Sequence, residues 1–127
     1  MLVLEAKLKG KLEQYALIDD AIRTALFCRN KALRYWMDNE KVNGYDLNKQ
    51  MALLAKEFKF AKKLGSQARQ SGSERAWSSI SRFYNNCKKK VLGKTCAERS
   101  RSKGFPKFKK RGSSVEYKQA GWKLSED

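Results

Sequence analysis

Four cations and two aromatic rings stand around the chain's single proline in Gly104-Phe105-Pro106-Lys107-Phe108-Lys109-Lys110-Arg111-Gly112. The wider stretch from Lys88 to Arg111 holds eleven Lys or Arg and one acid, Glu98. Ammonium and guanidinium groups at this density bind phosphates. Rings set among them, here Phe105 and Phe108, either stack on bases or fasten a loop to the fold. Other chemistry is hard to find. The chain has no His, so the usual general base is missing. Its acids are scattered, and the adjacent Asp19 and Asp20 point to different sides of a helix, so no convergent set for metal-assisted cleavage is readable. No phosphate-cradling Gly-rich loop of the P-loop kind is present. Cys28, Cys87 and Cys96 are an odd number without a paired framework and read as reduced thiols. Structural zinc asks for about four ligands, commonly in close Cys pairs or with His. The reading is therefore a binding protein: not an enzyme, with no catalytic residues, metal or cofactor.

Charge points the same way. A net charge of +16 with pI near 10 on 127 residues speaks of polyanionic partners rather than of fold. Residues 1–60 carry 11 cations and 8 acids, whereas residues 61–127 carry 18 and 5. Anion binding should concentrate in the second half. No run approaches the roughly 20 apolar residues of a membrane span, and the N-terminus lacks the basic lead-in and apolar run of a signal peptide. A cytoplasmic, non-membrane protein is expected.

The elements that must position the basic run follow from periodicity. Leu2, Leu4, Ala6 and Leu8 alternate with polar positions, which predicts a half-buried strand ended by Gly10. From Glu13 to about Asp38, the positions Tyr15, Ile18, Ile22, Ala25, Cys28 or Arg29, Leu33 and Trp36 follow helical spacing. A polar turn closes at Gly44. Asp46 is expected to cap a second helix, buried through Leu47, Met51, Leu54, Phe58 and Ala61 and ended by Gly65. A third helix should start at Ser66 or Ser73 and run to Val91, with Ala76, Ile80, Phe83 and Cys87 in one row and Trp77, Tyr84 and Val91 in the next. Gly72 weakens its first turns. Residues 93–104 read as a loop, and Val115, Tyr117, Trp122 and Leu124 as strand.

The fold class expected is mainly α: a three-helix, helix-turn-helix-like lobe inserted between short strands of an incomplete β-barrel. The divisions are 1–10 as a first strand, 11–92 as the helical lobe, 93–112 as a basic loop and 113–127 as the start of a second β segment. Candidate phosphate contacts are Lys88, Lys89, Lys90, Lys107, Lys109, Lys110 and Arg111. Tyr45, Gln67 and Gln70 flank helix starts, where turn hydrogen bonding is the ordinary role. A Gln can also read an adenine edge bidentately. Trp36, Trp77, Phe83 and Tyr84 are expected in the core.

The order of these pieces resembles the N-terminal part of the OrfB/TnpB family, insertion-sequence proteins long called transposases and understood as RNA-guided nucleases. Glu13-Gln14 opens a helix that contains Cys28-Arg29-Asn30-Lys31-Ala32-Leu33, like the family's E-Q and its Arg-containing run. Tyr45-Asp46-Leu47-Asn48-Lys49 is similar to its Y-x-L-x-K start of the next helix. Ser66-Gln67-Ala68-Arg69-Gln70, followed by Ala76 and Phe83, looks like S-x-A-L-Q…A…F. Gly104-Phe105-Pro106-Lys107-Phe108-Lys109-Lys110 looks like G-x-P-x-F-K-K. The departures are Lys11 where a Thr cap is common, Arg69 in place of Leu, and Gly72-Ser73 within a normally continuous helix.

The resemblance implies a recognition lobe between halves of a wedge-like barrel, binding guide RNA and target DNA. Tyr45 and Gln70 would then lie near bases. The family's RuvC-like nuclease and zinc-ribbon cysteines lie downstream of the matched region. The expectation is a truncated OrfB/TnpB-type module that binds DNA and RNA. The alternatives are half of a split nuclease completed by a separately encoded catalytic chain, and a stand-alone helix-turn-helix regulator of DNA.

Overall fold

The computed structural model describes residues 3, 5–88, 104–112 and 114–117, and among them are four helices and no strand. The first, α1 (Leu12–Asp38), starts where Gln14 Oε1 accepts the Lys11 N–H at 2.8 Å. That bond satisfies the amide donor of the residue that precedes the helix, which is the part a Gln at this position plays in a capping box. The apolar stripe is buried only from Ala25 onward, through Cys28, Ala32 and Leu33, and it carries one charge, Arg29. Tyr15 and Ile18, expected on that stripe, are exposed.

Lys41, with φ 56°, turns the chain after α1. The second helix, α2 (Gly44–Glu57), is capped reciprocally: Asn43 Oδ1 accepts the Asp46 N–H at 3.0 Å, and Asp46 Oδ2 accepts the Asn43 N–H at 3.1 Å. Asn43 is thus the cap where Asp46 was expected, and Gly44 opens the helix rather than ending the turn. The predicted long second helix breaks at Phe58, whose backbone is extended at φ −116° and ψ 109°. One further turn follows, α3 (Lys59–Lys62). The break lets Phe58 and Phe60 both reach Phe27, at ring distances of 5.1 and 4.9 Å. Lys31 stands over the Phe27 and Phe58 rings, in a cation–π arrangement.

The last helix, α4 (Ser66–Lys88), is continuous. Gly72 does not weaken its start. It sits at the crossing with α1, where an added Cβ would lie 3.1 Å from the Ala25 carbonyl and 3.2 Å from Cys28 Cβ. The absence of a side chain lets the two helices, which share the largest interface of the fold, approach this closely. The main core gathers Cys28, Leu33, Leu47, Met51, Leu54, Ala76 and Ile80, with Trp36 and Trp77 packed against it. Each large apolar side chain buried there stabilises the fold by about 1.5–3 kcal/mol.

The strand predictions are corrected wherever they fall on described residues. Residues 5–10 are exposed and form no ladder, because the apolar positions of that alternation find no neighbouring strand. Val115 and Tyr117 pack on Ala21, Ala25, Leu64 and Ala68 instead of pairing. Leu2, Leu4, Trp122, Leu124 and the 93–103 part of the predicted loop lie outside the described residues. No helix among the described residues is long and apolar enough to cross a membrane.

Candidate nucleic-acid interface

The basic motif is a strap laid along α1 and α4. Gly104 turns into it with φ +69°, a conformation that L side chains adopt at a cost. Phe105 then enters between Trp36 of α1 and Phe83 of α4, with ring distances of 5.7 and 5.1 Å. Trp36 is itself oriented by donating its Nε1–H to Tyr84 Oη at 2.9 Å. Pro106 is buried, which suits a residue without a backbone donor. Phe105 thus makes ring contacts with both helices, although at 45% it is about as exposed as Phe108 at 47%.

From Pro106 onward the strap is held by its backbone. Arg29 Nη1 donates to the Lys107 carbonyl at 3.1 Å and to Asn30 Oδ1 at 3.0 Å. Asn30 in turn donates to the Lys109 carbonyl at 2.8 Å and accepts the Lys109 N–H at 3.1 Å. Gly112 crosses close to Ile22 and Leu26, where a Cβ would stand 3.3–3.4 Å from their side chains. Arg75 Nη1 donates to the Ser114 carbonyl at 3.0 Å. The strap thus runs antiparallel to α1, from Trp36 back to Ile22. Seven extended residues cover about 23 Å, and fourteen helical residues about 21 Å, so the two backbones stay in step over that length.

Every fixed point on the basic run is a backbone atom or an uncharged residue. The side chains of Lys107, Lys109, Lys110 and Arg111 are all exposed. Tying down the backbone presents four cations at set spacing without spending their charge on internal contacts. Lys88, at the end of α4, is exposed too; Lys89 and Lys90 lie outside the described residues.

The expected base readers are elsewhere. Tyr45 is 80% exposed and borders a shallow hollow of about 410 Å³ with Asn48, Glu74 and Trp77. Gln70 is half-buried on the same side of α4 as Trp77. Its carbonyl accepts from Ser73 Oγ, which also bonds Asn48 of α2. The Gln67 carbonyl accepts from Ser71 Oγ. Arg75, which meets the strap, follows Gln70 by five residues and so lies about 140° around the helix. The structure therefore brings the strap cations together with Arg29 and Arg75, and sets Tyr45 and Gln70 on another flank.

Arg29, Asn30 and Arg75 were missed as functional candidates. One signal was available: Arg29 falls on the apolar stripe of α1, where a charge needs a partner. Burial lowers its pKa through loss of hydration of the cation. Cys28 beside it is fully buried, and its thiol is pushed up to about 11 by that burial, with the Arg69 cation opposing. Arg69, the departure from Leu in the third motif, donates to the carbonyls of Ala61 and Leu64 and so braces α3 against the start of α4. Comparison with protein-family models, curated proteins and solved structures finds no match to this chain.

Proposed function

We propose that this chain is a nucleic-acid-binding module whose strap engages the phosphate backbone of DNA and RNA. One observation carries the reading: the backbone of Lys107–Lys109 is fastened by Arg29 and Asn30 while the neighbouring cationic side chains remain in water. Such tethers hold the cations at a fixed spacing, which suits a regular array of phosphates. The net charge of +16 supplies the long-range attraction that speeds encounter with a polyanion.

We further read the module as OrfB/TnpB-like. The helices α1–α4 would be the recognition lobe, and the strap would lead into the wedge-like β segment. Two of the motifs behind that resemblance, Cys28-Arg29-Asn30 and Gly104 to Lys110, are in direct contact here, which supports reading them as one unit. In this reading the chain binds and does not cut, and any cleavage belongs to a separately folded nuclease part.

The test is fluorescence anisotropy on duplex DNA and single-stranded RNA across a salt series. With about six cations on phosphate, the log–log slope on duplex DNA should be about −5. Changing Lys107, Lys109 and Lys110 together to Ala should weaken all sequences alike and flatten that slope by about 3. A slope near zero for the unaltered chain would remove the nucleic-acid reading.

A further inference from the structure

The strap does not lie flush on the helices. Between it and them is a recess of about 80 Å³, lined by Arg29 of α1, Arg75 of α4, and Lys109, Arg111, Gly112 and Ser114 of the strap. Cavities that hold whole small molecules are roughly 300–1,000 Å³, so this one suits a single ionic group. Four of the eight residues around it are cations, and Ala25 and Leu26 of α1 add an apolar side.

Arg29 gives the stronger clue. It is 5% exposed, yet its hydrogen bonds go to a neutral carbonyl and a neutral amide. Neither the Arg34–Asp38 nor the Arg75–Glu116 ion pair involves it. A desolvated charge without a counter-charge is costly, and proteins ordinarily pair one. Both arginines use Nη1 for the strap carbonyls, out of five N–H donors on each guanidinium. Glu116 meets Arg75 at 3.9 Å and is largely exposed, too loose to neutralise the recess.

We propose that this recess is a phosphate subsite that seats one backbone phosphate of a bound nucleic acid and so fixes where the strand docks on the strap. The inference rests on the nucleic-acid reading above. It adds Arg29 and Arg75 as the floor of the site, beneath Lys109 and Arg111 at its mouth.

Two charge-matched double variants test it. Lys109→Gln with Arg111→Gln empties the mouth of the recess. Lys107→Gln with Lys110→Gln removes equal charge from the same strap outside the recess. Both leave the backbone tethers in place, and circular dichroism verifies the fold of each. Inorganic phosphate is titrated while the Gly112 and Ser114 amide signals are followed by NMR. Duplex affinity is measured in parallel.

The expected result is a saturable phosphate response in the unaltered chain and in the 107/110 variant, lost in the 109/111 variant. Duplex affinity should fall about tenfold further in the 109/111 variant, the scale of one charge-assisted hydrogen-bond set. A phosphate response that is linear, or equal in both variants, overturns the subsite; a steep salt slope on duplex would then leave the nucleic-acid reading standing. Saturable phosphate binding by a chain that binds no nucleic acid overturns both the function and the occupant proposed here.

Discussion

Asn30 closes both backbone hydrogen bonds of Lys109, donating to its carbonyl at 2.8 Å and accepting from its amide at 3.1 Å. A side-chain amide carries a donor and an acceptor side by side, so it can do for one strap residue what a neighbouring strand would do. The strap is thereby held extended without a sheet, and the Lys109 ammonium is left outside. Arg29 repeats the device one step away, through the Lys107 carbonyl.

Asn30→Ala is therefore expected to release the middle of the strap while changing no charge. Each lost hydrogen bond is worth about 1 kcal/mol, so chemical denaturation should show a loss of about 1–2 kcal/mol. Duplex affinity should fall as well, because the cations lose their fixed spacing. Unchanged affinity in a folded Asn30→Ala protein would mean that the tether serves stability alone.

Gly72→Ala makes the opposite kind of change, adding one methyl group. In an exposed helix interior this substitution gains about 1 kcal/mol. Here the new Cβ would press on the Ala25 carbonyl and Cys28 Cβ at 3.1–3.2 Å. Overpacking between helices costs about 1–3 kcal/mol, and a backbone carbonyl yields little. A net loss of stability is expected in thermal or denaturant unfolding; a gain would show that the α1–α4 crossing is loose.

Much of the helical framework was legible in the sequence because Ala25, Cys28, Leu33, Leu47, Met51, Leu54, Ala76 and Ile80 keep helical spacing and are all buried. The break at Phe58 was not, since Leu54, Phe58 and Ala61 hold the same spacing with or without it. What decides the break is contact with Phe27, about thirty positions earlier in the chain. Gly72 reads locally as a helix breaker because the reason for it lies on another helix. The 2–9 alternation reads as a strand because period two reports what a segment could pair with, not whether a partner exists. At the candidate site the cations were evident from composition, whereas Arg29 and Asn30 act on residues 78–79 positions away, beyond any local pattern.

Cys28 gives a prediction in pH. Its thiol is raised from 9.0 to about 11 in the fold, whereas the unfolded chain ionises near the ordinary value. Between those two values the unfolded state binds fewer protons than the native state, so stability falls as pH rises from about 9 to 11. The loss from this group is on the order of 2–3 kcal/mol at the top of that window. The measurement is a comparison with a variant that lacks the thiol. Unfolding free energy should fall less steeply with pH in Cys28→Ala than in the unaltered chain. At pH 8, a thiol reagent should leave Cys28 unmodified in the native protein and reach it on denaturation. Parallel curves for the two proteins would remove Cys28 as the source.

The two flanks of α4 lead to the last prediction. The strap meets it through Arg75, and Gln70 belongs to the side shared with Trp77 and the Tyr45 hollow. A base contact at Gln70 requires nucleic acid to reach that side; phosphate contact on the strap does not. Gln70→Ala should therefore leave the salt slope alone and, if a strand wraps around to α2, reduce discrimination between sequences by about 1–3 kcal/mol, the value of a bidentate base contact. Its effect should add to that of the Lys107, Lys109 and Lys110 triple change, because separate sites without shared partners combine additively. Tyr45→Ala should follow Gln70→Ala and not the triple variant. Anisotropy on a panel of duplexes and RNAs, with each variant and the combination, separates these outcomes. If Gln70→Ala alters neither preference nor affinity while helix content is intact, Gln70 is a structural residue of α4, and recognition by this chain is confined to the backbone phosphates held along the strap.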